Sequence, residues 1–110
     1  MAAQIVRVWG GFGTNDGVDR YCLEHFSNSV LPHLRSIDGF VEVKVMTRES
    51  LGETEVVVAT TWDSIESVKA FAGDDYEKAV VEPIVGQLLS RFDDRVAHFR
   101  VAVAASRAAT

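Results

Sequence analysis

The sequence predicts an α+β domain in which four strands and two helices follow one another in the order βαββαβ. Two observations lead to this prediction. Short runs of β-branched and aromatic residues alternate with stretches whose apolar residues recur at spacings of three and four, the pattern of amphipathic helices. At 110 residues, with 47% apolar and 25% charged side chains, the chain also has the size and composition of one globular domain.

The first strand is predicted from Gln4 to Phe12, where β-branched and aromatic residues dominate. The run Thr-Asn-Asp-Gly at 14–17 ends this strand and supplies side chains that cap helices. A helix follows, and Pro32 is expected near its end, with a distorted last turn that reaches Leu34. Six residues form the apolar stripe of this helix: Val18, Tyr21, Cys22, His25, Phe26 and Ser29.

The middle of the chain predicts a hairpin. Apolar and polar residues alternate from Phe40 to Arg48, as in a half-buried strand. A polar turn at 49–52 contains a glycine and leads into a third strand, Glu53 to Trp62. The centre of this third strand is almost wholly apolar, which is typical of a strand covered on both faces.

The second half of the chain predicts a second helix and a last strand. Asp63 and Glu66 have the spacing of a capping box, and Gly73 suits the C-terminal cap. Further helical turns are predicted around Tyr76 and, beyond Pro83, as far as Phe92. The last strand is predicted at 95–104. We expect a single domain at 1–104 and a flexible tail at 105–110.

This order of elements is the split βαβ, or ferredoxin-like, arrangement, in which both helices cover one face of a four-stranded antiparallel sheet. Valine and alanine occur in both alternating sets of residues in the first, third and fourth strands. The opposite face of the sheet should therefore also be covered. We predict that a second copy of the chain covers it, so that the homodimer forms a dimeric α/β barrel.

Composition argues against several classes of protein. The net charge is −5 and the eleven basic residues are scattered, so nucleic-acid binding is not expected. The apolar runs are too short for a membrane span, and the N-terminus lacks the pattern of a signal peptide. One cysteine, Cys22, fits a reducing cytoplasm, and the three histidines lack metal-ligand spacing. We expect a cytoplasmic protein without a metal or cofactor.

Three segments resemble the antibiotic biosynthesis monooxygenase family of the dimeric α/β-barrel superfamily. They are VLPHLRSIDGF at 30–40, TTWDSIESVKAFAGDDYEKAVVEP at 60–83 and FDDRVAHFRV at 92–101. The likeness extends over about 5–101. It implies a homodimer and, for the best-known members, oxygenation of aromatic polyketide-like substrates without metal or flavin. Such a substrate becomes a carbanion or phenolate that reduces dioxygen itself, while the protein removes a proton, holds the ring and excludes water.

Other members of the family degrade haem, oxygenate quinols or have no assigned activity. The haem-degrading branch uses a histidine of the second helix, a preceding tryptophan and an asparagine of the first strand. The matching positions here are Val81, Phe71 and either Arg7 or Val8, and no histidine lies between 33 and 98. Haem degradation is therefore not expected. A non-catalytic small-ligand-binding or stress-response protein remains the alternative to a monooxygenase.

His25 is the candidate catalytic residue, because it lies on the apolar stripe of the first helix and should face the sheet. A neutral imidazole there could act as a base near pH 7 or orient a phenol by a hydrogen bond. The structural alternative is a core histidine that is hydrogen-bonded to a backbone carbonyl or a neighbouring side chain.

Six further residues are candidates for substrate binding: Arg7, Trp9, Trp62, Phe71, Tyr76 and His98. An arginine within a sheet needs an anionic partner, and for Arg7 a structural salt bridge to Glu or Asp of this or the other subunit is favoured over a substrate carboxylate or enolate. The aromatic residues have core packing as their alternative, and Trp62 in particular could fasten a helix to the sheet. For His98 a place in the dimer interface is favoured over catalysis.

Overall fold

The computed structural model describes residues 3–108. Its strands are β1 (Ile5–Gly13), β2 (Phe40–Ser50), β3 (Glu53–Trp62), β4 (Arg91–Phe92) and β5 (Ala97–Arg100). Three helical stretches, Asn15–Arg20, Tyr21–Val30 and Leu31–Arg35, follow one another without a break and are together named α1. Two shorter helices complete the fold, α2 (Ile65–Ala72) and α3 (Val85–Leu88).

The sheet is antiparallel and has the order β2-β3-β1-β4, with β5 also paired to β1. β4 pairs with Gly11 and Phe12, whereas β5 pairs with residues 5–8 of the same strand. β4 and β5 therefore occupy one strand position that is interrupted between them. This arrangement confirms the predicted four-stranded, ferredoxin-like sheet.

The two faces of the sheet differ in burial. Every second residue of β3, from Thr54 to Trp62, is buried on the face that the helices cover. The fully buried side chains of the core are Val18, Leu34, Val56, Trp62 and Val68. The other face, here called the outer face, carries Val6, Val8, Phe12, Val57, Ala59 and Phe99, which are half-buried except for Phe99, with 58% of its surface exposed.

Helix α1 begins as predicted, with the Thr14 hydroxyl accepting a hydrogen bond from the Gly17 N–H at 3.0 Å. Its central stretch, Tyr21–Val30, is π-helical, and the Leu31 N–H donates to the carbonyl of Phe26, five residues earlier. Pro32 follows and has no N–H to continue an α-helical ladder. π-helical turns are rare and are frequently found at functional sites.

The segment after α2 differs from the prediction. Helix α2 ends at Gly73, as expected, but residues 73–84, here called the connecting segment, are irregular and α3 is a single turn. The reason is long-range pairing: the Ala79 N–H donates to the Asp94 carbonyl at 2.8 Å, and the Val96 N–H donates to the Glu77 carbonyl at 2.7 Å. The predicted helical position of Tyr76 is therefore wrong.

Other boundaries shift by a few residues. The cap of α2 is Ser64, whose hydroxyl accepts from the Ser67 N–H at 3.2 Å, while Asp63 accepts from the Ser67 hydroxyl at 2.7 Å. The last strand is shorter than predicted and ends at Arg100. Residues 109 and 110 of the predicted tail lie outside the described residues. Among residues 3–108, no helix has the length and apolarity to cross a membrane.

Candidate functional site

A cavity of about 120 Å³ lies between α1, the covered face of the sheet and the connecting segment. Six apolar residues form much of its wall: Phe26, Val30, Leu34, Val58, Val85 and Val96. The exposed residues His33, Val80 and Glu82 also line it and mark its mouth. An apolar cavity of about 150 Å³ in another protein holds a benzene molecule. This cavity is somewhat smaller, so even a ligand of one six-membered ring must reach towards the mouth, and a larger ligand must extend through it.

Tyr21 and His25 form a pair of polar rings on the α1 wall of the cavity. Their ring centroids are 5.7 Å apart, and only 4% and 9% of their surfaces are exposed. Within residues 3–108, neither the phenol oxygen of Tyr21 nor a ring nitrogen of His25 has a hydrogen-bond partner. Burial raises the pKa of Tyr21, so its hydroxyl is a donor at neutral pH. Both side chains are thus free to contact a ligand.

Arg7 enters the cavity from β1, with 5% of its surface exposed. Its Nη1 atom donates to the Tyr76 carbonyl, and Nη2 donates to the Lys78 carbonyl at 3.1 Å. Its Cζ atom lies 5.6 Å from the centre of the Phe71 ring. Burial lowers the pKa of Arg7 to about 10, so it remains a cation at neutral pH.

The described residues give Arg7 no carboxylate partner within the chain, and a salt bridge to a second copy stays a prediction. The ion pairs found within residues 3–108 are all formed by other basic residues, with no carboxylate within 4.0 Å of Arg7. Two backbone carbonyls of the connecting segment take the place that the prediction gave to Asp or Glu. Carbonyl dipoles solvate the guanidinium but leave its full charge uncompensated.

His98 lies beside Arg7 on the covered face of the sheet, behind the cavity wall. Its Nε2 atom is 3.1 Å from Nη1 of Arg7, and its ring meets that of Tyr76 edge to face, with centroids 5.2 Å apart. Burial and the charge of Arg7 lower the pKa of His98, with Glu77 acting in the opposite direction. His98 therefore points away from the outer face.

Of the seven predicted site residues, four line the cavity: Arg7, Trp9, His25 and Phe71. Trp62 is fully buried and its indole N–H donates to the Thr60 hydroxyl at 2.9 Å. Tyr76 and His98 contact Arg7 from behind. The indole N–H of Trp9 donates to the Asp93 carbonyl at 2.9 Å, which leaves the ring to form part of the wall.

The site contains residues that the sequence analysis did not select. Tyr21 precedes His25 by four positions on the predicted stripe, so the signal was present in the helical spacing. Val80, Val81, Glu82 and Val85 also line the cavity. The sequence analysis assigned them to a continuing helix, and helical spacing could not show which of them face the cavity.

No protein-family model and no curated protein matches the chain. Three solved structures are similar to it. A protein from Bacillus cereus, provisionally described as an antibiotic biosynthesis monooxygenase, has a TM-score of 0.64 at 20% identity, covering 94% of this chain and 98% of its own. A dimeric ferredoxin-like protein from an uncultured marine organism has a TM-score of 0.57 at 16% identity, covering 94% of this chain and 99% of its own.

The third similar structure is a monooxygenase of Streptomyces coelicolor in complex with the ligand nanaomycin D. Its TM-score is 0.52 at 16% identity, and the match covers 97% of this chain and 94% of that one. Likeness at these identities establishes the fold. The chain has the ferredoxin-like α+β fold of these proteins, and its resemblance to the antibiotic biosynthesis monooxygenases is confirmed at the level of the fold.

Proposed function

We propose that the chain is a cofactor-independent monooxygenase-like protein that acts on a small aromatic or polyketide-like substrate in the cavity. The observation that carries the proposal is the Tyr21–His25 pair, whose side chains line an apolar cavity and whose polar atoms have no partner in residues 3–108. The similar monooxygenase in complex with nanaomycin D supports a ligand at this scaffold.

In the proposed reaction His25 removes a proton from an acidified ring CH₂ group, and the carbanion passes one electron to dioxygen. The two radicals join to form a carbon-bound peroxide anion, and protonated His25 returns its proton to give the hydroperoxide. Loss of the second C–H proton and cleavage of the O–O bond then give the ring ketone and water, so both atoms of dioxygen and both hydrogens are accounted for. Exclusion of water by the apolar wall protects the carbanion from simple reprotonation.

The remaining site residues have supporting roles in this proposal. Trp9 and Phe71 pack against the ring, and Arg7 holds the oxygen on which negative charge develops. Trp62, Tyr76 and His98 hold the wall in place rather than touch the substrate. The protein works as a homodimer in which two outer faces pack together, as the similar dimeric ferredoxin-like protein suggests.

Oxygen consumption tests the proposal. The panel runs from one-ring hydroquinones to anthrone, with rates corrected for uncatalysed autoxidation. We expect the wild type to consume oxygen and His25→Ala to lose roughly 10²-fold or more of the rate. His33→Ala is the matched control, because His33 is exposed at the mouth of the same cavity, and it should retain the rate.

No oxygen uptake by the wild type across the panel rejects the monooxygenase proposal. Saturable binding of the same compounds without uptake would instead support the non-catalytic small-ligand or stress-response function. Equal loss of rate in His25→Ala and His33→Ala would contradict the role of His25 as the base.

A further inference from the structure

In the proposed reaction Arg7 holds a negative charge that develops during turnover, but its own charge also lacks a carboxylate partner in the described residues before a substrate enters. A buried cation normally has a carboxylate partner, because removing a charge from water costs several kcal/mol. Arg7 is 5% exposed, and within residues 3–108 it contacts two carbonyls and a neutral histidine instead. The site thus holds one positive charge that the described protein does not neutralise.

The guanidinium also has donors to spare. An arginine has five N–H groups. Three are directed at the Tyr76 carbonyl, the Lys78 carbonyl and Nε2 of His98, all through Nη1 and Nη2. The Nε–H and one hydrogen of Nη2 therefore have no partner in the described residues, which leaves two N–H groups for an anion.

The Nε atom of Arg7 is also not fully sealed from solvent. Among residues 3–108, Nδ1 of His98 is the one side-chain nitrogen or oxygen that is sealed from solvent and has no hydrogen-bond partner. Nε of Arg7 has no partner either, so it cannot be sealed from solvent. Arg7 itself lines the cavity, together with the apolar residues and the Tyr21–His25 pair. An anion on Arg7 would accordingly have its ring against apolar side chains.

We propose that the cavity selects an aromatic monoanion, with its anionic oxygen on the unpartnered N–H groups of Arg7 and its ring against the apolar wall. The anion is either a carboxylate or an ionised phenol or enol. This inference rests on the ligand site of the proposed function but does not require turnover. Glu82, the carboxylate that lines the mouth, is exposed, so water and salt screen its repulsion of such a ligand.

Two pairs of one-ring probes test this inference by isothermal titration calorimetry. Benzoate and benzamide have nearly the same shape but differ in charge. The ratio of their affinities for the wild-type protein therefore shows the effect of ligand charge without a mutation. The second pair is 4-nitrophenol and 4-nitroanisole, of which only the phenol can ionise. The colour of bound 4-nitrophenolate reports its ionisation directly, and comparison of the two pairs separates a carboxylate site from a phenolate site.

We expect the anion of at least one pair to bind tenfold or more tightly than its neutral analogue. Arg7→Met, which keeps an unbranched side chain without charge, should abolish this preference, and Arg7→Lys should restore only part of it. Arg95→Met is the control, because Arg95 is a surface arginine paired with Asp75 and lies outside the cavity. It should keep the full preference.

Equal affinities within both wild-type pairs, or a preference for the neutral members, would overturn the inference even if Arg7→Met fails to fold. Persistence of the preference in a folded Arg7→Met variant would overturn it as well. Anion preference without oxygen uptake leaves this inference standing and rejects the monooxygenase. Oxygen uptake without anion preference supports the monooxygenase proposal and overturns this inference.

Discussion

Arg7 and His98 face each other across neighbouring strands, with 3.1 Å between Nη1 and Nε2. Because a guanidinium can only donate, Nε2 must accept and His98 must be neutral, with its proton on Nδ1. Protonation of His98 would bring two cations into contact beneath the cavity. The charge state of this one histidine is therefore linked to the position of Arg7.

This link predicts that stability falls on acidification. The pKa of His98 is below its ordinary 6.5 in the folded protein, so the unfolded chain binds more protons between the two pKa values. The contribution of this pKa shift to the free energy of unfolding is complete above about pH 6.5 and is lost as the pH falls towards the pKa of His98 in the folded protein. His98→Gln, which does not titrate, should show a smaller loss in urea unfolding between about pH 8 and pH 5. Parallel curves for the two proteins would contradict the assignment.

Trp62→Phe should reduce stability but leave ligand binding intact. The fully buried indole donates to the Thr60 hydroxyl at 2.9 Å, so the variant loses a buried hydrogen bond and leaves a small void. We expect a loss of about 1–3 kcal/mol in the free energy of unfolding. Benzoate affinity should stay within about twofold, since Trp62 does not line the cavity. A tenfold loss of affinity at unchanged stability would place Trp62 against the ligand after all.

Gly39→Ala should be much more damaging than Gly73→Ala. Both glycines have positive φ, +91° and +86°, and Gly73, with ψ −173°, lies in a region that is essentially restricted to glycine, so both substitutions strain the backbone by about 1–3 kcal/mol. A Cβ at Gly39 would also collide with the Ser67 hydroxyl and the Asp63 carboxylate at the start of α2, whereas one at Gly73 meets nothing within 4 Å. Chemical denaturation of both variants measures the difference, and equal losses would show that φ alone matters.

The apolar outer face predicts a dimer interface that a single charged substitution should disrupt. Val57 lies on the outer face of β3, between Gly10 of β1 and Met46 of β2. We expect sedimentation at micromolar concentration to give twice the mass of the chain for the wild type and a single chain for Val57→Asp. Leu23→Asp is the control, since Leu23 is 72% exposed on α1, and it should remain paired. A monomeric wild type would remove the barrel from the proposal.

Local sequence patterns were sufficient to predict the order of the strands along the chain and the inward direction of His25. A hairpin is defined by its own turn, and an amphipathic helix by its own spacing, so neither needs knowledge of distant residues. The connecting segment could not be predicted in this way. Its backbone hydrogen bonds run from Glu77 and Ala79 to residues 94–96, and such pairing leaves no periodic signal near Tyr76.

The environment of Arg7 illustrates the same limit at the level of the site. Its acceptors are backbone carbonyls, which every residue carries, so no pattern of side chains could identify them. The expectation of a carboxylate partner followed from the general cost of burying a charge. The irregular path of the connecting segment supplied a different solution.

The wide hydrogen-bond register of Tyr21–Val30 absorbs one extra residue in α1. A turn closed by a bond to the fifth preceding residue holds one residue more than an α-helical turn. Deletion of one residue between Phe26 and Leu31 would therefore let the stretch return to α-helical pairing while Tyr21 and His25 keep their direction. A return to α-helical pairing without a deletion would instead turn everything before it by about 100° around the helix axis, and both side chains would leave the cavity together.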